Sequence, residues 1–326
     1  MFTPSSVIRL TGTFFTFVAA MALPLAHAAW PDDKPIEIVV GFAAGGETDI
    51  MARGLAPFIQ KHLGGKANMV VVNKVGASGE IANAYLQRAI PDGYTIGVVN
   101  VPPLLFVPLT RKAQYDPKEL SLIARVVSDP TFLVTRANSP YTSLTQIVSA
   151  LKDKPKSLSF GYNGVGTNGH LAMLQLELAT GVQLNDIAFN GSSQSKNALL
   201  GGHTDFMFTS LTAVPAPDKE AVPLRIVTQF MESRASAIKN IPTAKEQGIN
   251  VVMPSDRGFA APKNIPPAML ESLQRAIATS LKDPEFLKLA STYASVISYL
   301  PGADWQHTLT ASLPALEALA RKMPKE

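Results

Sequence analysis

The sequence predicts an α/β protein of two lobes, each holding a mixed, mostly parallel sheet flanked by helices. Short β-branched runs alternate with helical patterns along the chain, which is typical of βαβ units. The 326 residues also exceed what one hydrophobic core usually serves. Since no flexible linker interrupts the pattern, we expect the lobes to arise from chain crossings near 127–131 and 224–228. The predicted lobes are 29–127 with 229–326, and 128–228.

The first residues predict an export signal. Residues 12–28 form an apolar run that Ala26-His27-Ala28 closes with small residues, and Arg9 supplies the positive charge before it. We expect cleavage after residue 28, so that the mature protein begins near Ala29. An uncleaved membrane anchor is the alternative, but the run is shorter than the roughly 20 apolar residues of a spanning helix.

The strands and helices follow from local patterns. Gly64-Gly65 ends the first helix, and Pro91-Asp92-Gly93 forms a turn before the third strand. The predicted strands are 36–40, 69–72, 94–99, 132–134, 158–160, 187–189, 206–208 and 224–227. The predicted helices are 49–63, 79–89, 143–152, 168–180, 193–200, 267–282, 284–293 and 313–322.

Composition argues against several classes of function. The net charge of +4 is too small and too scattered to indicate a nucleic-acid partner. The chain contains no cysteine, so neither disulfides nor thiol catalysis are available. His62, His170 and His203 lack the spacing of metal ligands, and we expect neither a metal site nor a cofactor.

Glycine-rich loops follow several predicted strands. They are 41–46, 76–79, 164–167 and 191–192, and each precedes a helix. In an open α/β sheet such strand ends face the ligand crevice, and the N–H groups of a helix start attract an anion. The loops therefore indicate a carboxylate or phosphate site. The alternative is that turns between strands and helices favour glycine without any ligand.

One loop matches a dinucleotide fingerprint. Residues 164–169 fit GxGxxG between a strand and a helix, and Asp186 lies where a ribose-binding acid would be. The fingerprint is weak by itself and lies in mid-chain. Neither the P-loop motif GxxxxGK[ST] nor the serine-hydrolase motif GxSxG is present, and Ser78 is better explained as a helix-start residue than as a nucleophile.

A resemblance covers nearly the whole chain after the signal. The sequence resembles the Bug/TctC family, the periplasmic solute receptors of tripartite tricarboxylate transporters. The matching segments are Trp30-Pro31, Lys34-Pro35-Ile36, 45–53 (GGETDIMAR), 73–79 (NKVGASG), 91–95 (PDGYT), 164–167 (GVGT) with His170-Leu171, Gly191-Ser192 with Gln194, Gly201-Gly202 with Asp205-Phe206-Met207, and 241–244 (IPTA) with Glu246 and Gly248.

The resemblance implies a two-lobe binding protein of type II that closes on a small carboxylate and does no chemistry. It also implies a periplasmic location and two integral membrane transporter subunits as partners. We expect a monomer. A ligand sensor for signalling and, less favoured, an exported enzyme are the alternatives.

The resemblance also implies a set of ligand-binding residues. One lobe offers backbone N–H groups, and the other closes with the hydroxyl after GxG and with the following loop. Asp205 matches an acid that orders the cleft floor, with a solvated or helix-capping acid as the alternative. The implied residues are Phe42, Ala44, Gly45, Gly46, Gly76, Ala77, Gly166, Thr167, Phe189, Asn190, Ser192 and Asp205.

Departures from the family pattern suggest the ligand. Tyr162 stands where serine is common, and Phe189-Asn190 stands where Tyr-Lys is common. With Phe42, three aromatic side chains could line the cleft, which favours an aromatic carboxylate or dicarboxylate. Core packing is the alternative. We expect Arg257, just before a predicted strand, to grip the ligand's distal carboxylate, unless it pairs with Asp256 or another acid.

Overall fold

A computed structural model describes residue 1 and residues 30–213, 224–235, 238–290 and 296–323. The predicted signal peptide and its cleavage site lie outside the described residues apart from Met1. Among the described residues, no helix has both the length and the apolar character needed to cross a membrane.

The described strands and helices alternate through most of the chain. The strands are β1 Ile36–Val40, β2 Met69–Asn73, β3 Thr95–Val101, β4 Leu120–Arg136, β5 Ser159–Tyr162, β6 Asn185–Ala188, β7 Phe206–Ser210, β8 Leu224–Gln229, β9 Pro254–Pro262 and β10 Ile297–Pro301. The helices are α1 Glu47–Leu63, α2 Glu80–Arg88, α3 Pro103–Thr110, α4 Leu144–Asp153, α5 Asn168–Thr180, α6 Ser192–Leu200, α7 Pro267–Ser280, α8 Pro284–Leu289 and α9 Gly302–Ala320. Short 3₁₀ turns lie at Ala77–Gly79, Pro117–Glu119 and Leu211–Ala213.

Strand β4 joins two sheets. Its residues 120–130 pair antiparallel with β9, and β10 pairs along the same part. Its residues 131–136 pair antiparallel with β7 and β8. The first sheet therefore holds β1, β2, β3, β9, β10 and the start of β4, whereas the second holds β5 to β8 and the end of β4. The mixed sheets that the sequence predicts are confirmed, with parallel pairs in β2-β1-β3 and in β6-β5-β7.

The first crossing has an unusual pair of residues. Pro130 of β4 lies opposite Pro254 of β9, so this position of the ladder contains no N–H donor. The predicted second crossing at 224–228 falls within β8. The chain then stays beside β8, where Ala244 N donates to Gln229 O, and pairs with the first sheet only from Pro254 onwards.

The core has two layers, one on each face of the joined sheets. Successive strand residues point to opposite faces. Thus Phe206 and Phe208 of β7 belong to the core layer that contains residues of α2, α3, α4, α5 and α9, whereas Met207 belongs to the layer of α1, α6, α7 and α8. Both layers run through both sheets, so the two sheets share their hydrophobic cores.

Several predicted elements need correction. Arg257 lies inside β9 rather than before a strand. Helix α9 begins at Gly302 rather than at Leu313, because Trp305 and Leu309 already lie four residues apart on a buried face. Helix α3 was not predicted, since its eight residues are nearly all apolar and show no helical period. The last residues of the predicted helix 284–293 lie outside the described part.

We predict that Gly258→Ala lowers the free energy of unfolding by about 1–3 kcal/mol. A Cβ atom at residue 258 would lie 2.7 Å from Arg125 Cα of the neighbouring strand and 2.7 Å from Trp305 Cζ3. Gly54→Ala is the matched control, because a Cβ atom there in α1 meets nothing within 4 Å and the helix should gain up to about 1 kcal/mol. Urea unfolding measures both. Equal effects of the two substitutions would contradict the packing explanation.

Candidate functional site

The predicted glycine-rich loops meet where the two sheets face each other. The loops after β1 and β2 come from the first sheet, and those after β5 and β6 come from the second. Each follows the carboxyl end of a parallel strand, as the sequence predicts for a ligand crevice.

Three hydrogen bonds join the loops across the sheets. Ala43 N donates to Asn190 O at 3.3 Å. Glu47 N, at the start of α1, donates to Ser192 Oγ at 3.4 Å, and Asn163 Nδ2 donates to Glu47 Oε1 at 3.3 Å. The two halves of the molecule are therefore in direct contact at this joint.

A cavity of about 160 Å³ lies between these loops. Of the predicted ligand-binding residues, Phe42, Gly76, Ala77, Phe189 and Asn190 line it. Ala44 and Gly45 are exposed on the first loop. Gly46 and Ser192 are buried and close together, since a Cβ atom at Gly46 would lie 3.3 Å from Ser192 Oγ.

Sequence reasoning missed other residues that line the cavity. They include Ser78, Arg111 and Asn163. Arg111 follows α3 and donates to Glu80 Oε2 at 2.7 Å, with its side chain 35% exposed. A guanidinium in this position is suited to a carboxylate. Arg111 lies far along the chain from every glycine-rich loop, so no sequence motif of these loops includes it.

Left-handed backbone marks the second loop. Gly76, Ala77, Ser78 and Gly79 have φ values of 142°, 47°, 58° and 90°. Alanine and serine rarely adopt positive φ, and such strain is concentrated at functional sites. Successive backbone N–H groups in a tight turn are also a known form of concave anion site. Ser78 is thus part of a strained turn before α2, as well as a cavity residue.

Asp49 holds the first loop in place. It is 3% exposed and accepts from Gly45 N at 2.9 Å, from Arg53 Nε at 3.0 Å and from Asn73 Nδ2 at 2.8 Å. Burial by itself raises the pKa of Asp49, but these hydrogen bonds outweigh it and lower the pKa from its usual value. Asn73, at the end of β2, also donates to Phe42 O at 3.0 Å, so Asp49 and Asn73 connect the first loop to the second.

The third loop is fixed by Thr167 and His170. Thr167 Oγ1 donates to Gly164 O at 2.6 Å and lies 2.7 Å from Asn163 Oδ1. Gly166 N donates to His170 Nδ1 at 3.0 Å, which requires a neutral imidazole. Burial lowers the pKa of His170 to about 4, and Asp186 opposes this shift only weakly. Gly166 and Thr167 are buried, so they support the loop from behind the cavity.

The structure does not bring Tyr162 or Asp205 to this cavity. Tyr162 is 2% exposed, stacks on His170, and donates from its hydroxyl to Asp186 Oδ2 at 2.9 Å. It therefore belongs to the core, which was the alternative. Asp205 precedes β7 and accepts from Ser159 N at the amino end of β5, opposite the edge that carries the loops. Asp186, the acid that a dinucleotide site would require, is engaged by Tyr162.

Arg257 lies in a buried ionic cluster. It is 0% exposed and forms an ion pair with Asp129, also 0% exposed, at the crossing in β4. Asp129 further accepts from Leu211 N at 2.9 Å and from Thr212 Oγ1 at 2.6 Å, both in the turn after β7. Glu47 Oε1 lies 3.8 Å from Arg257 Nη1. The partner acid is thus Asp129 rather than Asp256, which pairs with Arg125 at 3.1 Å.

Comparison with known proteins places the chain in a family. A family model described as "Tripartite tricarboxylate transporter family receptor" (TctC) matches residues 51–301. The chain belongs to the TctC receptor family. This family is a class of solute-binding receptors rather than of enzymes. The resemblance that the sequence motifs predict is therefore confirmed.

Relatives of this TctC chain match over almost their full length. A Cupriavidus necator protein, "UPF0065 protein in gbd 5'region", is 32% identical over 315 residues, which cover 94% of this chain and 95% of that protein. The periplasmic binding protein BugD is similar in structure to this chain, with a TM-score of 0.81 at 27% identity, covering 89% of this chain and 97% of BugD. "R. palustris Rpa4515 with adipate" has a TM-score of 0.81 at 26% identity, covering 90% of this chain and 98% of that one. The fold is that of the periplasmic solute-binding proteins of the TctC and Bug type.

Across the part of the TctC chain that the structure describes, no group of three or more histidine, aspartate or glutamate side chains could hold a metal ion.

We predict that the free energy of unfolding falls as the pH is lowered, because of His170. Its folded pKa of about 4 lies below the ordinary 6.5, so the unfolded chain binds the proton first as the pH falls. The free energy of unfolding should fall by about 3 kcal/mol between pH 6.5 and pH 4 from this group alone. His170→Asn should reduce this pH dependence, whereas His203→Asn, at an exposed position, should leave it unchanged. Urea unfolding at pH 7 and pH 4.5 measures the change in the free energy of unfolding between these two pH values. An equal change in the wild type and both variants would contradict the prediction.

We predict that Arg257→Met costs about 3–5 kcal/mol, because it leaves Asp129 buried without its ionic partner. Arg275→Met removes an exposed pair with Glu271 and should cost less than about 1 kcal/mol. Chemical unfolding of both variants measures the costs. An Arg257→Met variant of normal stability that no longer binds ligand would instead support the sequence-based role of Arg257 as a ligand contact.

Proposed function

We propose that the chain is an exported, periplasmic solute-binding protein. It captures a small carboxylate in the cleft between its two sheets and presents it to the two integral membrane subunits of a tripartite tricarboxylate-type transporter. The observation that carries this proposal is the cavity enclosed by strand-end loops of both sheets, with the left-handed Gly76–Gly79 turn and Arg111 in its wall.

The chemistry of this wall favours an anion. The backbone N–H groups of the Gly76–Gly79 turn and the guanidinium of Arg111 are donors, and both lie in the first sheet's half of the molecule. A carboxylate would accept from them while Phe42 and Phe189 pack against the rest of the ligand. Phe42 and Phe189, two of the three aromatic residues predicted for the cleft, line the cavity, which supports a ligand with a planar ring. Arg111 would thus bind the same carboxylate as the turn, whereas the sequence assigned Arg257 to a second, distal carboxylate.

The comparisons support the same class of ligand. The solved R. palustris relative, 26% identical to this chain, contains adipate, a small dicarboxylate. The match to transporter receptors supports the membrane partners.

Binding is proposed to proceed by closure. The ligand docks on one half, and the other half then contacts it through Asn163 and the Phe189-Asn190 loop. The contacts of Ala43 with Asn190 and of Glu47 with Ser192 belong to the closed arrangement. A ligand that contacts both halves stabilises this arrangement relative to an open one.

A disulfide across the joint tests the cleft and its closure together. The backbone at Gly46 has φ −80° and ψ 167°, which any residue adopts, and its Cβ position lies 3.3 Å from Ser192 Oγ. Since the chain has no cysteine, Gly46→Cys with Ser192→Cys forms a single cross-link between the halves. The oxidised variant should bind carboxylates far more slowly than the same protein after reduction.

The wild-type protein provides the reference. A ligand at about 100 times its Kd should add about 2.7 kcal/mol to the free energy of unfolding, which thermal shifts detect. Each single cysteine variant controls for the substitutions themselves. Equal association rates before and after reduction would contradict an interlobe site, and the absence of binding by any carboxylate would contradict the proposed function.

A further inference from the structure

Glu47 carries a buried oxygen atom that has no hydrogen-bond donor among the residues that the structure describes. The residue is 3% exposed, and its Oε1 atom accepts from Asn163. Its Oε2 atom is buried and accepts no hydrogen bond from any described residue. A buried acceptor without a donor is unfavourable and rare in folded proteins. The carboxylate therefore has the capacity for one more donor at this position.

Glu47 lies at the joint between the two halves. It opens α1 directly after the first glycine-rich loop, and its N–H group donates to Ser192 of the other half. Asn163, which donates to its carboxylate, lines the cavity. Glu47 itself lies behind this wall, and the Asn163 side chain connects its carboxylate to the cavity.

The negative charge around Glu47 disfavours a second carboxylate group on the same ligand at this position. The start of α1 attracts negative charge, but the carboxylate of Glu47 already lies there. Glu47 and Asp129 are both buried acids, and both lie next to the guanidinium of Arg257. Another carboxylate would meet like charge, whereas an ammonium or N–H group would find an acceptor.

We infer that the ligand is a carboxylate whose other end carries an ammonium or N–H donor, and that this end binds Glu47 Oε2. This inference rests on the proposed function and names the ligand class of the same site. It replaces the distal carboxylate, expected from the sequence to bind Arg257, with a distal cation.

Ligand pairs of matched length test the inference. Succinate with 4-aminobutyrate, glutarate with 5-aminopentanoate, adipate with 6-aminohexanoate, and terephthalate with 4-(aminomethyl)benzoate each differ only in the distal group. Titration calorimetry on the ligand-free protein measures the affinities. In the best-fitting pair, we expect the amino carboxylate to bind at least about tenfold more tightly than the dicarboxylate, as one charge-assisted hydrogen bond provides.

The variant Glu47→Gln tests whether Glu47 causes the preference for the amino carboxylate over the dicarboxylate. It removes the charge and keeps the shape, so the preference should largely disappear. Glu119→Gln is the matched control, because it makes the same change at an exposed pair with Lys263 and should keep the preference. A preference that survives in Glu47→Gln would overturn the inference. The wild-type comparison decides the ligand class even where Glu47→Gln fails to fold.

The outcomes separate this inference from the proposed function. Tighter binding of a dicarboxylate in every pair that binds would overturn the inference and leave the proposed function standing. Failure of every carboxylate would overturn both. Binding of 1,6-diaminohexane without binding of any carboxylate would likewise overturn both, because the inferred ligand is a carboxylate.

Discussion

The buried ion pair between Arg257 and Asp129 is the interaction on which the rest of the structure depends. Removing two charges from water is costly unless their hydrogen bonds are satisfied. Asp129 meets this condition only because the turn after β7 directs Leu211 N and Thr212 Oγ1 at it. Strands β4, β7 and β9 must therefore assemble together, and the point where they do so is the passage between the two sheets.

The cleft follows from this arrangement. Once β4 fixes the two sheets side by side, the carboxyl ends of their parallel strands face each other, and the loops that follow must meet. The loops then differ in how they are held. Asp49 and Asn73 fasten the first to the second, whereas His170 supports the third from behind. Among these four loops, the non-glycine residues with positive φ, Ala77 and Ser78, both lie in the second.

The sequence predicts what is local and misses what depends on distant contacts. Strand β1 and helix α5 match their predicted bounds, since their periodicity and flanking residues lie within the element. Strand β4 continues for 17 residues through Ser128-Asp129-Pro130, which looks like a turn without the buried partners that surround it. Arg257 presents the same difficulty, because the acid that pairs with it lies 128 residues away in the chain. The cavity residue Arg111 belongs to this class as well.

The opposed prolines at the crossing have a mechanical consequence. Backbone hydrogen bonds normally make a sheet resist bending across its ladder, yet Pro130 and Pro254 contribute no N–H group at the one position where the two sheets change over. Bending there sacrifices no amide bond of that pair. The strands on either side of this pair keep their hydrogen bonds. Any bending of the molecule would therefore be concentrated at Pro130 and Pro254, and each half would keep its own geometry.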